Sequence, residues 1–146
     1  MRSEEALKAL ARVDRELIES RVELILGLRK ANRLREMMDY IAEDIVYNVS
    51  GNWMALPFVG QVKGKANMAR ALVSIATQFE NLGSEIHDLL IEGERVALRR
   101  TSRVRHRGTN RVADVAIVDF LRFRDGLVIE LSEVTDSLKL TQLEDF

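Results

Sequence analysis

Residues 94–136 read ERVALRRTSRVRHRGTNRVADVAIVDFLRFRDGLVIELSEVTD. Apolar residues recur at every second position, as in strands with one buried face. Arg107-Gly108-Thr109-Asn110 and Arg124-Asp125-Gly126 punctuate the run and predict tight turns. Upstream, Ser84–Glu92 continues the period of two before Gly93-Glu94. Four strands follow, Ser84–Glu92, Arg95–His106, Arg111–Phe123 and Leu127–Asp136, as an antiparallel meander.

Turn lengths place residues on faces. A two-residue loop at Gly93-Glu94 pairs Leu89 with Leu98 and His87 with Arg100 on one face, and Asp88 with Arg99 on the other. A loop at Gly108-Thr109 sets Leu98 against Asp119, Arg100 against Ile117 and Ser102 against Val115. The last turn has two readings. A two-residue Asp125-Gly126 loop turns Val128, Glu130, Ser132 and Val134 inward. A three-residue Arg124-Asp125-Gly126 loop turns Leu127, Ile129, Leu131 and Glu133 inward, and is preferred because that face is more apolar. A one-residue slip exchanges the faces. In the preferred register Arg100, Ile117 and Glu133 form one row, with Asp119 one row away. Three ionisable side chains thus point at an apolar face, where burial and neighbouring charge shift pKa values. The bland alternative is an inert structural Arg–Glu pair.

Before the meander the period is helical. Residues 3–30 carry Leu7, Leu10, Val13, Leu17, Val22, Leu24, Ile25 and Leu28 mostly at three- and four-residue spacings, as one long helix or a short arm followed by a helix. Ser3 suits an N-cap, with Glu4 and Glu5 at the positive end of the dipole. Residues 32–42 predict a second helix capped by Asn32, and Asp44–Ser50 a strand. The segment 53–60, with the single proline, reads as irregular or an edge strand. Residues 65–82 predict a third helix stopped by Gly83.

The chain of 146 residues fits one domain with a core of its own. A net charge of −1 supplies no bulk field for nucleic acid or membrane. The arginine run RRTSRVRHR lacks interleaved aromatics, and period two sends Arg99, Arg103, Arg105 and Arg107 outward, toward Asp88 and Asp114. No cysteine and two histidines argue against disulfides, thiol chemistry and structural zinc; no metal or cofactor is expected. No apolar run approaches the roughly 18 residues of a membrane span, and the N-terminus lacks a signal-peptide core, so a cytoplasmic location is expected.

The order of elements resembles the nuclear-transport-factor-2-like superfamily, in particular SnoaL-like domains. AEDIVYNV, GKANMARALVSIATQF, IEGERVALRR and VDFLRFRDGLVIE followed by Asp136 carry the resemblance, over roughly residues 18–143. It implies a cone-shaped curved antiparallel sheet wrapped around N-terminal helices, an α+β fold, with 1–17 as a helical extension and 144–146 as a tail. It also implies an apolar pocket for a small hydrophobic molecule. Relatives supply several catalytic sets. Asp119 matches the oxyanion Asp of ketosteroid isomerase, whose base position falls at Val49 and whose tyrosine falls near Ile25. Arg100, Glu133 and Tyr47 match the Arg, one acid and the water-orienting Tyr of limonene epoxide hydrolase, whose other acid falls at Ser102. His87 and His106 stand where scytalone dehydratase has histidines, and His106 with Asp119 fits the His/Asp pair of SnoaL-like cyclases.

The candidate catalytic residues are therefore Arg100, Asp119, Glu133, Tyr47 and His87. Trp53, Leu98, Ser102, Ile117 and Leu131 are candidates for ligand contact, and Met54, Leu56 and Phe58 for a lid. Two function classes remain: cofactor-free acid–base catalysis on a hydrophobic ligand, as an isomerase, cyclase or hydrolase, or non-catalytic binding or dimerisation. Ala116, Val118 and Phe120 make the outer sheet face apolar as well, so a homodimer through that face is expected.

Overall fold

The alternation in 94–136 forms strands β4, Arg95–His106, β5, Val112–Arg124, and β6, Leu127–Thr135, in a computed structural model that describes residues 3–51 and 60–144. Ahead of them lie helix α1 (Glu4–Lys30), α2 (Leu34–Met37) with a 3-10 turn at Met38–Tyr40, β1 (Ile41–Ser50), β2 (Gly60–Lys63), α3 (Lys65–Gln78) and β3 (Phe79–Glu92). Helix α4 (Ser137–Glu144) closes the described chain. The strands form one sheet in the order β2-β1-β6-β5-β4-β3. The meander β3–β6 is antiparallel, as expected, but β1 joins β6 in parallel, so the sheet is mixed.

α1 is one helix across the expected boundary at residue 17. Ser3 Oγ accepts from the Ala6 amide at 3.2 Å. The helix spans about 40 Å at 1.5 Å per residue. Its second half buries Val22, Ile25 and Leu28 against the sheet, where Tyr47, Leu98 and Val128, with Met68 of α3, belong to the same main core. A smaller apolar cluster of Phe79, Val104, Val115, Ile117, Leu140 and Leu143 lies toward α4. Each such side chain contributes roughly 1.5–3 kcal/mol on burial.

The structure corrects four expectations. The second helix is a single turn, because Asn32 adopts φ 56° and Ile41 already pairs with Val128. The third helix stops at Gln78, not 82: Phe79 pairs with His106 and enters the smaller core, so sheet pairing wins over helix continuation. Gly83, at φ 119°, marks a register shift inside β3 rather than a helix stop.

The third correction is the β3–β4 pairing. It follows the expected register from Glu92 to Asp88, then a bulge at His87 brings Ile86 opposite Arg100. His87 is turned out to Thr101, with Nε2 to Oγ1 at 2.7 Å. The β4–β5 register is the expected one throughout.

The last turn holds the fourth. It has two residues, Asp125 at φ 51° and Gly126 at φ 79°, the left-handed pair of a tight hairpin. By alternation alone Glu133 would then face out. A bulge at Ile129 inserts one residue between the Phe123–Val128 and Arg122–Glu130 pairs and restores the phase. Val128, Leu131 and Glu133 are all buried. Glu133 pairs with Asp119, so these two carboxylates share a row, while Ile117 pairs with Thr135 and Arg100 is one row off.

On the outer face, Arg99 meets Asp88 at 2.6 Å and Arg103 meets Asp114 at 3.4 Å. No described helix is long and apolar enough to cross a membrane.

Candidate active site: a buried ion cluster at the end of an apolar chamber

Four polar side chains with relative exposures of 2%, 1%, 3% and 3% (Arg100, Ser102, Asp119 and Glu133) interrupt the concave face of the sheet. Their positions follow from register: Arg100 and Ser102 are inward residues of β4, Asp119 of β5 and Glu133 of β6. Tyr47, fully buried on β1, lies beside Leu131 in the parallel pairing and reaches Glu133. α1 supplies Arg29.

Glu133 is the hub. Arg29 Nη1 donates at 2.9 Å to both Oε1 and Oε2, Tyr47 Oη donates to Oε1 at 2.6 Å, and Arg100 Nη2 donates to Oε2 at 3.2 Å. Arg100 then bridges onward: Nε donates to Asp119 Oδ2 at 2.7 Å and Nη1 to Ser84 Oγ at 2.8 Å. Asp119 Oδ1 is buried without a hydrogen-bond partner.

These partners set the charge states. Burial pushes Glu133 up, but the charges of Arg29 and Arg100 and the hydrogen bonds from Tyr47 and Arg29 outweigh it and hold the carboxyl at about 2. Burial and the Glu133 charge push Asp119 up to about 6, against the pull of Arg100. Burial and the same Glu133 charge raise the Tyr47 hydroxyl well above its ordinary value, so it remains a donor. Arg29 is raised too: burial works against its charge, and Glu133, Tyr47 and Asp119 more than offset that.

A cavity of about 70 Å³ opens on this cluster, in the seam between the two apolar cores. Arg29, Tyr47, Arg100, Ser102 and Glu133 line its polar side; Val49, Ile75, Phe79, Val104, Val115, Ile117 and Leu140 line the rest. Of the expected ligand contacts, Ser102 and Ile117 are in this chamber. Leu98 and Leu131 instead line a gap of about 20 Å³ behind the ion cluster, together with Asp119. Asp119 is thus walled off from the chamber by Arg100 and Glu133. Trp53 and the suggested lid residues Met54, Leu56 and Phe58 lie outside the described residues.

The histidines stand apart. His87 is exposed on the outer face. His106 packs edge-on against Phe79, with centroids 5.3 Å apart, and its Nδ1 accepts from the Thr109 amide. It is eight residues along β4 from Leu98, the partner of Asp119, or about 27 Å at the rise of a strand. Among the described residues no group of three His, Cys, Asp or Glu could hold a metal ion.

Two participants were missed from sequence. Arg29 continues the buried stripe Ile18, Val22, Ile25 at the next four-residue step, the one signal that could have found it. Ser84 carried no signal, because its position depends on the β3 bulges.

A SnoaL-like domain model matches residues 26–131, the span from α1 through the first half of β6. The chain belongs to the SnoaL-like domain family. Among curated proteins, none matches this SnoaL-like chain in sequence. Similar solved structures share its fold. A nuclear-transport-factor-2-like protein of unknown function from Burkholderia pseudomallei is 17% identical, with a TM-score of 0.78 over 88% of this chain and 97% of that one. An epoxide hydrolase from M. tuberculosis, of the limonene-epoxide-hydrolase-like (LEH-like) type, is 15% identical, with a TM-score of 0.67 over 84% and 85%. TerC, co-crystallised with polyporic acid, is 15% identical, with a TM-score of 0.76 over 89% and 98%.

Proposed function

We propose that this SnoaL-like domain binds a small hydrophobic carbonyl compound, with the carbonyl oxygen set against the guanidinium N–H groups of Arg29 and Arg100, while Tyr47 donates its one hydroxyl proton to Glu133. The observation that carries this reading is the saturation of Glu133. With four hydrogen bonds and a pKa held at about 2, it is a fixed anion that anchors two guanidiniums, rather than a base waiting for a proton. The anchored donors face an apolar chamber, where their field acts at low dielectric. Such an arrangement stabilises negative charge growing on a ligand oxygen, the electrostatic half of an isomerase or cyclase reaction. Asp119 tunes the cluster from behind without touching ligand.

The test is calorimetric titration of small ketones into wild type and Ser102→Val or Arg29→Met. Binding that weakens at least several-fold in both variants, with the fold retained by circular dichroism, supports the reading. Unchanged affinity removes the polar end from it.

A second reading has one observation in its favour. Tyr47 and Arg100 both donate to Glu133, and the mycobacterial neighbour of the same fold is an epoxide hydrolase. In that reading Glu133 would exchange one donor for a water and direct it at an epoxide. Ser102, which replaces the second acid, would leave the epoxide oxygen to the guanidiniums. Turnover of cyclohexene oxide, abolished by Glu133→Gln, would select this reading over binding.

We also propose that the chain pairs with a second copy through the outer sheet face. Leu90, Phe120 and Val134 are 67%, 53% and 47% exposed there, and Leu90 and Phe120 flank Ala97 in one row. Light scattering should give twice the chain mass, and Phe120→Asp should give the monomer; a monomeric wild type would end this proposal.

A further inference from the structure

A second cavity, of about 200 Å³, lies against the first. It sits between the last turn of α1, the C-terminal half of α3 and the start of β3. The two cavities share Arg29, Ile75, Phe79 and Asn81, which form the partition between them. The outer cavity is cationic. Lys30 is exposed on its rim and has no acidic partner among the described residues; the end of its side chain, ammonium included, lies over Gly83. Arg107 is also on the rim, its side chain 39% exposed, with Nε donating to the Ala76 carbonyl at 2.8 Å. Glu80 is the carboxylate on this side, and Arg105 and Arg107 already hold it. Of the side chains lining this cavity Arg29, Lys30 and Arg107 are cationic and Glu80 is anionic; Glu133 balances Arg29 from the inner side and Arg105 adds a further cation on Glu80. The α1 carbonyls that would oppose an anion here are capped: Ala31, Asn32 and Arg33 amides donate to Gly27, Arg29 and Leu28.

We infer that the two cavities form one site for an apolar oxo-carboxylate, with its carbonyl in the inner chamber and its carboxylate between Lys30 and Arg107 in the outer one. This rests on the proposed carbonyl-binding role of the inner chamber and adds the charge at the other end of the ligand. The ligand chain would cross at Ile75, Phe79 and Asn81, the partition residues outside the ion cluster, with Arg29 kept on Glu133. Lys30 and Arg107 are specificity residues and take no part in polarising the carbonyl.

The experiment compares 8-oxononanoate with 2-nonanone, which keeps the methyl ketone and the chain but lacks the carboxylate. Isothermal titration on the full chain should give about ten-fold tighter binding of the acid at low salt. The preference should narrow as salt is raised, because the rim charges are exposed. Lys30→Gln with Arg107→Gln should erase the preference and leave 2-nonanone unaffected; Lys30→Gln alone, which spares the bond to Ala76, should remove part of it. Equal affinities in the wild type, or a preference that survives the double variant, overturn the outer site while the inner reading stands. Failure of both compounds to bind overturns both.

Discussion

Asp119 and Glu133 face each other across β5 and β6, almost equally buried, and are driven in opposite directions. Glu133 accepts from Arg29, Tyr47 and Arg100 and is held at about 2; Asp119 accepts from Arg100 alone, keeps one oxygen unpartnered, and rises to about 6. Burial alone therefore does not determine how a carboxyl titrates. The balance of burial against neighbouring positive charge and donors does, and here α1 and β1 deliver theirs to one side of the row. Glu133 looks onto both the chamber and the gap behind it and Asp119 onto the gap alone, so the fixed charge reaches the chamber and the titrating one does not.

The sharpest way to break this contrast is to remove the hub. Glu133→Leu leaves Arg29 and Arg100 buried against one carboxylate and strands the Tyr47 hydroxyl; urea unfolding should show a loss of about 3–5 kcal/mol. Glu133→Gln should lose roughly half of that, since its amide oxygen still accepts. A loss below about 1 kcal/mol in the Leu variant would mean the cluster is not a hub.

Next in size is the pH dependence of the partner. The folded chain holds the Asp119 proton more tightly than the unfolded chain, so lowering the pH from above 6 toward 4 favours the fold at this residue. Glu133 acts the other way: its contribution is complete above about 4.5 and is lost as the pH falls toward 2. Asp119→Asn should therefore compare better with wild type at pH 8 than at pH 5, by roughly 1–1.5 kcal/mol in paired unfolding curves. An identical difference at both pH values would sink the assignment of a raised pKa to Asp119.

Tyr47→Phe removes one donor from Glu133 and leaves the rest, with an expected cost of about 1–2 kcal/mol. At the bottom of the scale, Arg99→Ala breaks an ion pair on the outer face whose side chains are more than half exposed, and should change stability by less than about 0.5 kcal/mol. The two β4 neighbours Arg99 and Arg100 thus serve as an internal control, because adjacent residues on one strand meet opposite solvents.

Alternation in 94–136 made the meander, the β4–β5 register and the inward aim of Arg100 and Asp119 legible. Those follow from local rules, a period of two and turn chemistry. What could not be read were the interruptions. The bulges at His87 and Ile129 have no residue signature in this chain, yet one expelled His87 from the concave face and the other kept Glu133 on it. Glu133 was placed inward through a three-residue turn that does not occur; the position holds because a two-residue turn and a bulge yield the same phase. Arg29 was hidden for another reason. On a helical stripe of apolar residues an arginine reads as a solvent-facing break, and only the opposing strand reveals the carboxylate that keeps it inside.

The bulge at Ile129 makes parity, rather than turn length, the constraint on the β5–β6 hairpin. One residue can be added at Asp125-Gly126 if one is removed at Ile129, and the pair of changes returns Glu133 to Tyr47 and Arg29. A single change that neither the turn nor the bulge absorbs reverses every side chain beyond it and presents Ser132 or Val134 to the two arginines. The hairpin therefore tolerates indels in matched pairs, and relatives with longer turns should be straight where this chain is bulged.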